Sequence, residues 1–174
     1  MAVIVGYHGC EREFAAGVRA GRITLAEWRL SQNAYDWLGE GIYFWEGSRS
    51  RAEQWASERF GDDADVLQVE IELGECLNLL ENTYYNDLRA SYRRLRTDLR
   101  NQQMTLPRNH KKRHELDNLV INNFVDMMAE RGTRFQTVRA VFEEGRRLYP
   151  GSAIRTRSHI QIAVLDFRCI RICD

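Results

Sequence analysis

The chain has no excess of charge: 25 lysines and arginines stand against 25 aspartates and glutamates in 174 residues. No global field draws it onto nucleic acid or an anionic surface, so any such contact needs a local patch. It also has no CxxC pair among Cys10, Cys76, Cys169 and Cys173, and His8, His110, His114 and His159 are scattered relative to those cysteines. No metal site is expected from such spacing. No apolar run has membrane length or a secretory pattern, which gives the expectation of a cytoplasmic protein with reduced thiols and no membrane contact. Internal repeats and low-complexity segments are absent too. What remains is one domain over 1–174, with an apolar share of 44%, ample for a packed core.

The pattern along the chain predicts an α+β fold. "AVIVGYHG" reads as a first strand ending at a glycine, and "GIYFW" as a second. Phe14 and Val18 mark a short helix between them, followed by an irregular connection. Ser48 or Ser50 then caps a helix that carries Ala52, Trp55, Ala56 and Phe60. In "ADVLQVEIEL" apolar and polar residues alternate with the period of a half-buried strand. Tyr85, Leu88, Tyr92, Leu95 and Leu99, and then Leu116, Leu119, Val120, Phe124, Met127 and Met128, recur at helical spacing. They predict two packed helices, an insertion at about 83–131, joined through the basic "LPRNHKKRH". β character returns in "TVRAVFEEG", "HIQIAVLD" and "CIRI". Strands gather at both ends and helices fill the middle.

Three of these segments, in order, resemble the ADP-ribosyltransferases of the poly(ADP-ribose) polymerase and diphtheria-toxin type. They are His8-Gly9 at the end of the first strand, "GEGIYF" from Gly39 to Phe44, and "QIAVLDFRCI" from Gln161 to Ile170. Three ordered segments are fairly specific where a lone His-Gly is weak. The resemblance implies a split β-sheet core and NAD as co-substrate, with no metal expected from the Cys and His spacing. It assigns His8 to a hydroxyl of the adenine-side ribose and the bare backbone of Gly9 to the nicotinamide carboxamide. Gly41 belongs to the same phrase, Tyr43 would stack on the nicotinamide, and Trp55 would cover its other face. Arg51 and Ala52 fall where the family places a serine, so Ser48 and Ser50 enter as candidates through an extra residue in the turn. Tyr43, Trp45 and Trp55 fit a plain core equally well, Trp45 best of the three.

Gln161 stands where polymer-forming members carry Glu. It can hydrogen-bond a ribose hydroxyl but has no charge and cannot take a proton, which implies a single transfer and no chain elongation. Glu143 or Glu144 would supply a base if one is required, with Arg139 on a phosphate or the acceptor. Arg155 and Arg157, in the loop that faces the acceptor in the family, suit a phosphate-bearing target. The basic cluster Arg108, Lys111, Lys112 and Arg113 and the stripe Arg89, Arg93, Arg94 and Arg96 add local positive charge. The acceptor is thus a macromolecule, protein or nucleic acid. The phrases "YHGC", "DWLGEGIYFWE" and "HIQIAV" are also similar to the toxins of antiphage toxin, antitoxin and chaperone systems, which would imply an antitoxin partner. Two other readings stay open: a NAD glycohydrolase with water as acceptor, and a catalytically silent domain that binds ADP-ribosyl groups or RNA. The related RNA 2′-phosphotransferase reading lacks its paired arginines.

Overall fold

The computed structural model describes residues 2–33, 35–111 and 113–173. Seven strands form one mixed sheet, flanked by four α-helices: an α+β architecture. The strands are β1 (Val3–Glu11), β2 (Ile42–Glu46), β3 (Ala64–Glu72), β4 (Cys76–Asn78), β5 (Thr137–Phe142), β6 (His159–Val164) and β7 (Ile170–Ile172), and the sheet order is β4-β5-β6-β2-β1-β3-β7. The helices are α1 (Arg12–Arg19), α2 (Arg49–Phe60), α3 (Tyr85–Asn101) and α4 (Glu115–Glu130), the last two lying between β4 and β5 in the chain. No helix is long and apolar enough to cross a membrane, among the described residues.

The seven strands form one continuous sheet, within which the β1–β2 pairing is short. β1 pairs with β3 over nine residues, yet with β2 only through Gly6 with Glu46 and Tyr7 with Trp45. His8 and Gly9 stay paired to Leu67 and Val66 of β3 while their β2 edge is released. A sheet that parts in its middle leaves backbone and side chains free at the point of parting, and here that point lies beside the histidine.

Alternation fixes which residues face which layer. In β3, Leu67, Val69 and Ile71 are fully buried and pack with Phe44, Val18 and Trp28 on one face. Val66 turns to the other face, where it meets Trp45 and the small residues Ala52 and Ala56 of α2. Farther along that face, Phe124 and Ile121 of α4 pack on Leu38, Val138 and Ala163. Complete burial of a side chain such as Phe124 contributes about 2–3 kcal/mol. Ser48 does hold the N-cap position of α2, but its side chain makes no capping hydrogen bond. β4, three residues long and parallel to β5, carries no alternation from which to read it.

Candidate active site

The residues at the parting of β1 and β2 line a cavity of about 120 Å³. His8, Gly9, Gly41, Tyr43, Trp55 and Gln161 all contribute to its wall. His8 Nδ1 lies 2.9 Å from the carbonyl oxygen of Tyr43. A carbonyl only accepts, so Nδ1 carries the hydrogen and the neutral ring offers Nε2 as an acceptor. Burial pushes the His8 pKa below its ordinary value, opposed by the hydrogen bond to Tyr43. Phe14, Trp28 and Phe44 surround the ring.

Each glycine has a steric reason. A Cβ at Gly9 would stand 3.0 Å from the Ala52 carbonyl oxygen, 3.0 Å from Trp55 Cε3 and 3.2 Å from the Ala56 methyl, so α2 lies directly on the Gly9 backbone. At Gly41 it would stand 2.9 Å from the Ala163 methyl. Tyr43 is pinned by its phenol, which donates to the Gly39 carbonyl at 2.7 Å and accepts from the Leu38 amide at 3.0 Å. Burial first, and then the charge of Asp36, raise its pKa far above the ordinary tyrosine range. The ring therefore serves as a fixed wall, not as an acid or base.

Gln161 is also oriented. Its Oε1 accepts a hydrogen bond from Trp37 Nε1 at 2.5 Å. An indole N–H only donates, so the amide cannot flip without losing that bond, and its NH₂ group turns away from Trp37. The side chain meets a ligand with two donors and one remaining lone pair. Asp36, only 3% exposed, is a carboxylate of this cavity that sequence reasoning did not single out. Burial raises its pKa, while hydrogen bonds from the Asn33 amide and the Ser31 hydroxyl pull it down. Asp36 is thus tied to Asn33 from both sides, its own amide donating to the Asn33 carbonyl at 3.0 Å.

Tyr35, Trp45, Trp55 and Gln161 belong at once to this cavity and to a wider cleft of about 640 Å³. Charged groups dominate the cleft. Arg51, nearly buried, reaches Glu144 at 2.7 Å and also bonds Gln54. Arg157 pairs with Glu58 at 2.8 Å, and Glu143 stays largely exposed. Glu144 accepts from Arg51 through one carboxylate oxygen while the other stands 4.0 Å from Arg157, and Glu143 keeps a 3.7 Å contact with Arg155.

Four expected site residues lie elsewhere. Arg139 lines neither space; both arms of its guanidinium are bound by Glu46, at 2.6 Å each, because β5 and β2 present them to one another across β6. Arg155 is outside the cleft, donating to the Gly145 carbonyl at 3.2 Å. Ser48, the N-cap of α2, and Ser50, in its first turn, reach neither wall, since the turn at Gly47 sits beside Val5 and the helix must run back to Gly9 before it meets the cavity. Of the basic cluster, Lys111 lines the cleft, Arg113 pairs with Glu115, and Lys112 lies outside the described residues. The arginines of α3 are exposed on its solvent face.

Sequence reasoning also left out Trp37, Arg51 and His159. A signal existed for the last: two residues before Gln161 on a strand is the same face. Among the described residues, no group of three or more His, Cys, Asp or Glu side chains is placed to hold a metal ion. No family model, no curated protein and no solved structure matches the chain.

Proposed function

We propose that this chain is a NAD-dependent mono-ADP-ribosyltransferase acting on a macromolecule, built on an ADP-ribosyltransferase-like core. One observation carries the reading: the His8-Gly9 pair, Gly41, Tyr43, Trp55 and Gln161, drawn from both ends of the chain, converge on a single cavity. In this reading His8 Nε2 accepts a hydrogen bond from a ribose hydroxyl, a role that its Nδ1–H tautomer suits. Tyr43 and Trp55 flank the nicotinamide. The bond from ribose C1′ to the pyridinium nitrogen breaks, its electron pair leaves with neutral nicotinamide, and the sugar becomes oxocarbenium-like.

Gln161 then hydrogen-bonds the ribose oxygens without supplying charge. That supports one transfer per acceptor. The wider cleft continues from the same glutamine and takes the acceptor, with Arg51, Arg157 and Lys111 supplying positive charge for a phosphate-bearing one.

The test uses NAD labelled in its adenylate phosphate, added with purified protein to cell extract, portions of which are then treated with protease or nuclease. Label that survives protease and is lost to RNase or DNase identifies a nucleic acid acceptor; label that follows protein moves the acceptor to a polypeptide. His8→Ala and Gln161→Leu remove the incorporation. Nicotinamide release without incorporation replaces the proposal with NAD hydrolysis, and the absence of both leaves a silent binding domain.

A further inference from the structure

Four buried side-chain nitrogens lack a hydrogen-bond partner among the described residues: Trp28 Nε1, Trp45 Nε1, Arg51 Nε and His159 Nε2. Three of the four belong to residues of the wider cleft. A buried polar group without a partner costs about 1–3 kcal/mol, so three in one place ask for an explanation that packing does not give. Two of them, the indole and the guanidinium nitrogen, only donate. The third is different.

His159 Nδ1 stands 2.7 Å from the carbonyl oxygen of Arg157. The carbonyl cannot donate, so Nδ1 holds the hydrogen and Nε2 of the neutral ring is a bare lone pair. The ring is 8% exposed and sits between Trp45 and Phe142, with centroids 6.1 and 5.6 Å away. Burial, and then the nearby Arg51 charge, favour the neutral form, against the Arg157 hydrogen bond and Glu144. On β6, His159 and Gln161 project from the same face, roughly 7 Å apart along the strand. A nucleophile that approached C1′ beside Gln161 from the cleft would pass the imidazole.

Resting on the transferase reading, we propose that His159 is the general base of the reaction, replacing the carboxylate that Gln161 does not provide. The acceptor is a neutral X–H group, a hydroxyl or an amino group, which donates to His159 Nε2. Its lone pair forms the bond to C1′ as the bond to nicotinamide breaks, and its proton passes to Nε2. The resulting imidazolium is held by the Arg157 carbonyl on one side and by Glu144 nearby, and later returns the proton to water.

The experiment measures label transfer from NAD to extract across pH for the wild type, His159→Gln and His159→Ala, beside NAD binding followed by tryptophan fluorescence. The charged groups that face His159 are Arg51 of α2, Glu144 after β5 and Arg157 of its own segment; Glu58, Arg59, Glu143, Lys111 and His114 stand farther along the cleft. Only a titration that disappears with the imidazole is assigned to it. The wild-type rate falls at acid pH with a midpoint below 6.5. His159→Gln binds NAD within about twofold, loses transfer about 100-fold and loses that acid limb, the size a general base supplies. Imidazole added to His159→Ala restores at least about tenfold. Transfer at the wild-type rate in His159→Gln, or an unchanged acid limb, overturns the proposal while leaving the transferase reading intact. A wild-type protein that neither binds nor consumes NAD overturns that reading, and this proposal with it. Ring ¹⁵N resonances give a check that needs no NAD: the Nδ1–H tautomer is expected, and the Nε2–H tautomer would also sink the assignment.

Discussion

The inner cavity and the wider cleft share a wall of three aromatic rings and one glutamine, Tyr35, Trp45, Trp55 and Gln161, and differ in the rest of their lining. The cavity is small and walled by groups whose polar atoms are already committed: the Tyr43 phenol to Gly39 and Leu38, His8 Nδ1 to Tyr43, Gln161 Oε1 to Trp37. The cleft is about five times larger by the two volumes, 640 against 120 Å³, lined by ion pairs, and includes the residues of three of the four unpartnered nitrogens, of which Trp45 also borders the cavity. Committed groups fix one geometry, which suits a ligand of one identity such as a dinucleotide. Charged and unpartnered groups await partners, which suits an incoming acceptor. On the proposed reading, the difference separates the place that holds NAD from the place that receives the acceptor.

Overfilling the cavity breaks the comparison most severely. Gly9→Val pushes against the Ala52 carbonyl, Trp55 and Ala56 together, and α2 has to retreat from the strand. Such overpacking costs about 1–3 kcal/mol of stability. Displacing Trp55 by about 1 Å lowers NAD turnover about 100-fold. Denaturant unfolding and nicotinamide release measure the two effects; full activity in Gly9→Val would remove Trp55 from the site.

The cavity was legible in the sequence because its residues sit in short contiguous phrases. His8-Gly9 closes an apolar run and "GEGIYF" is a glycine-spaced strand, so local pattern and site coincide. The cleft was not legible, because its members are single residues on elements whose mutual placement depends on packing. Arg51 reads as an ordinary exposed helix residue until α2 is laid on Gly9, and then its guanidinium is carried inward to Glu144. Arg139 fails in the opposite direction: a charged residue at a strand centre reads as functional, but Glu46, two strands away, neutralises it. Strand positions were recovered wherever alternation or β-branched runs existed, and missed in β4, which is too short for either.

A milder change sharpens the contrast at the shared glutamine. Trp37→Phe keeps the ring against Phe142, whose centroid is 4.9 Å away, and removes only the donor to Gln161. Loss of one such bond, about 1 kcal/mol, frees the amide to rotate and lowers kcat about fivefold with KM for NAD nearly constant. Steady-state kinetics decide it, and a change confined to KM would mean that Gln161 acts only in binding.

The two partly buried arginine pairs separate stability from function. Arg139→Gln leaves Glu46, 16% exposed, without its cation and lowers stability by about 1–3 kcal/mol, while kcat stays at the wild-type value. Arg51→Gln leaves Glu144, 34% exposed, better hydrated, and lowers stability by less, about 1 kcal/mol, yet reduces label transfer several-fold through the cleft. Thermal melts paired with transfer rates test both. Equal losses of transfer in the two variants would erase the distinction between a structural pair and a pair at the acceptor's path.

Acid separates the molecule from its histidines by a smaller margin. Desolvation lowers the pKa values of His8, half-buried, and His159, buried, below the ordinary 6.5 of the unfolded chain. Between the folded and unfolded values the unfolded chain binds more protons, so stability rises with pH in that interval and falls as the pH drops below 6.5. Above 6.5 both states are neutral at these rings and the contribution is flat. Asp36, with its pKa raised, acts in the opposite sense, losing stability as pH rises through the carboxylate range, and Asp65 and Asp166, with theirs lowered, lose theirs only in stronger acid. The interval from pH 7 to about 5.5 therefore reports mainly the histidines. Melting temperature falls across it in the wild type and falls less in His159→Gln, which removes one of the two neutral rings. An equal fall in both would assign the whole effect to His8 and place it in the cavity, not the cleft.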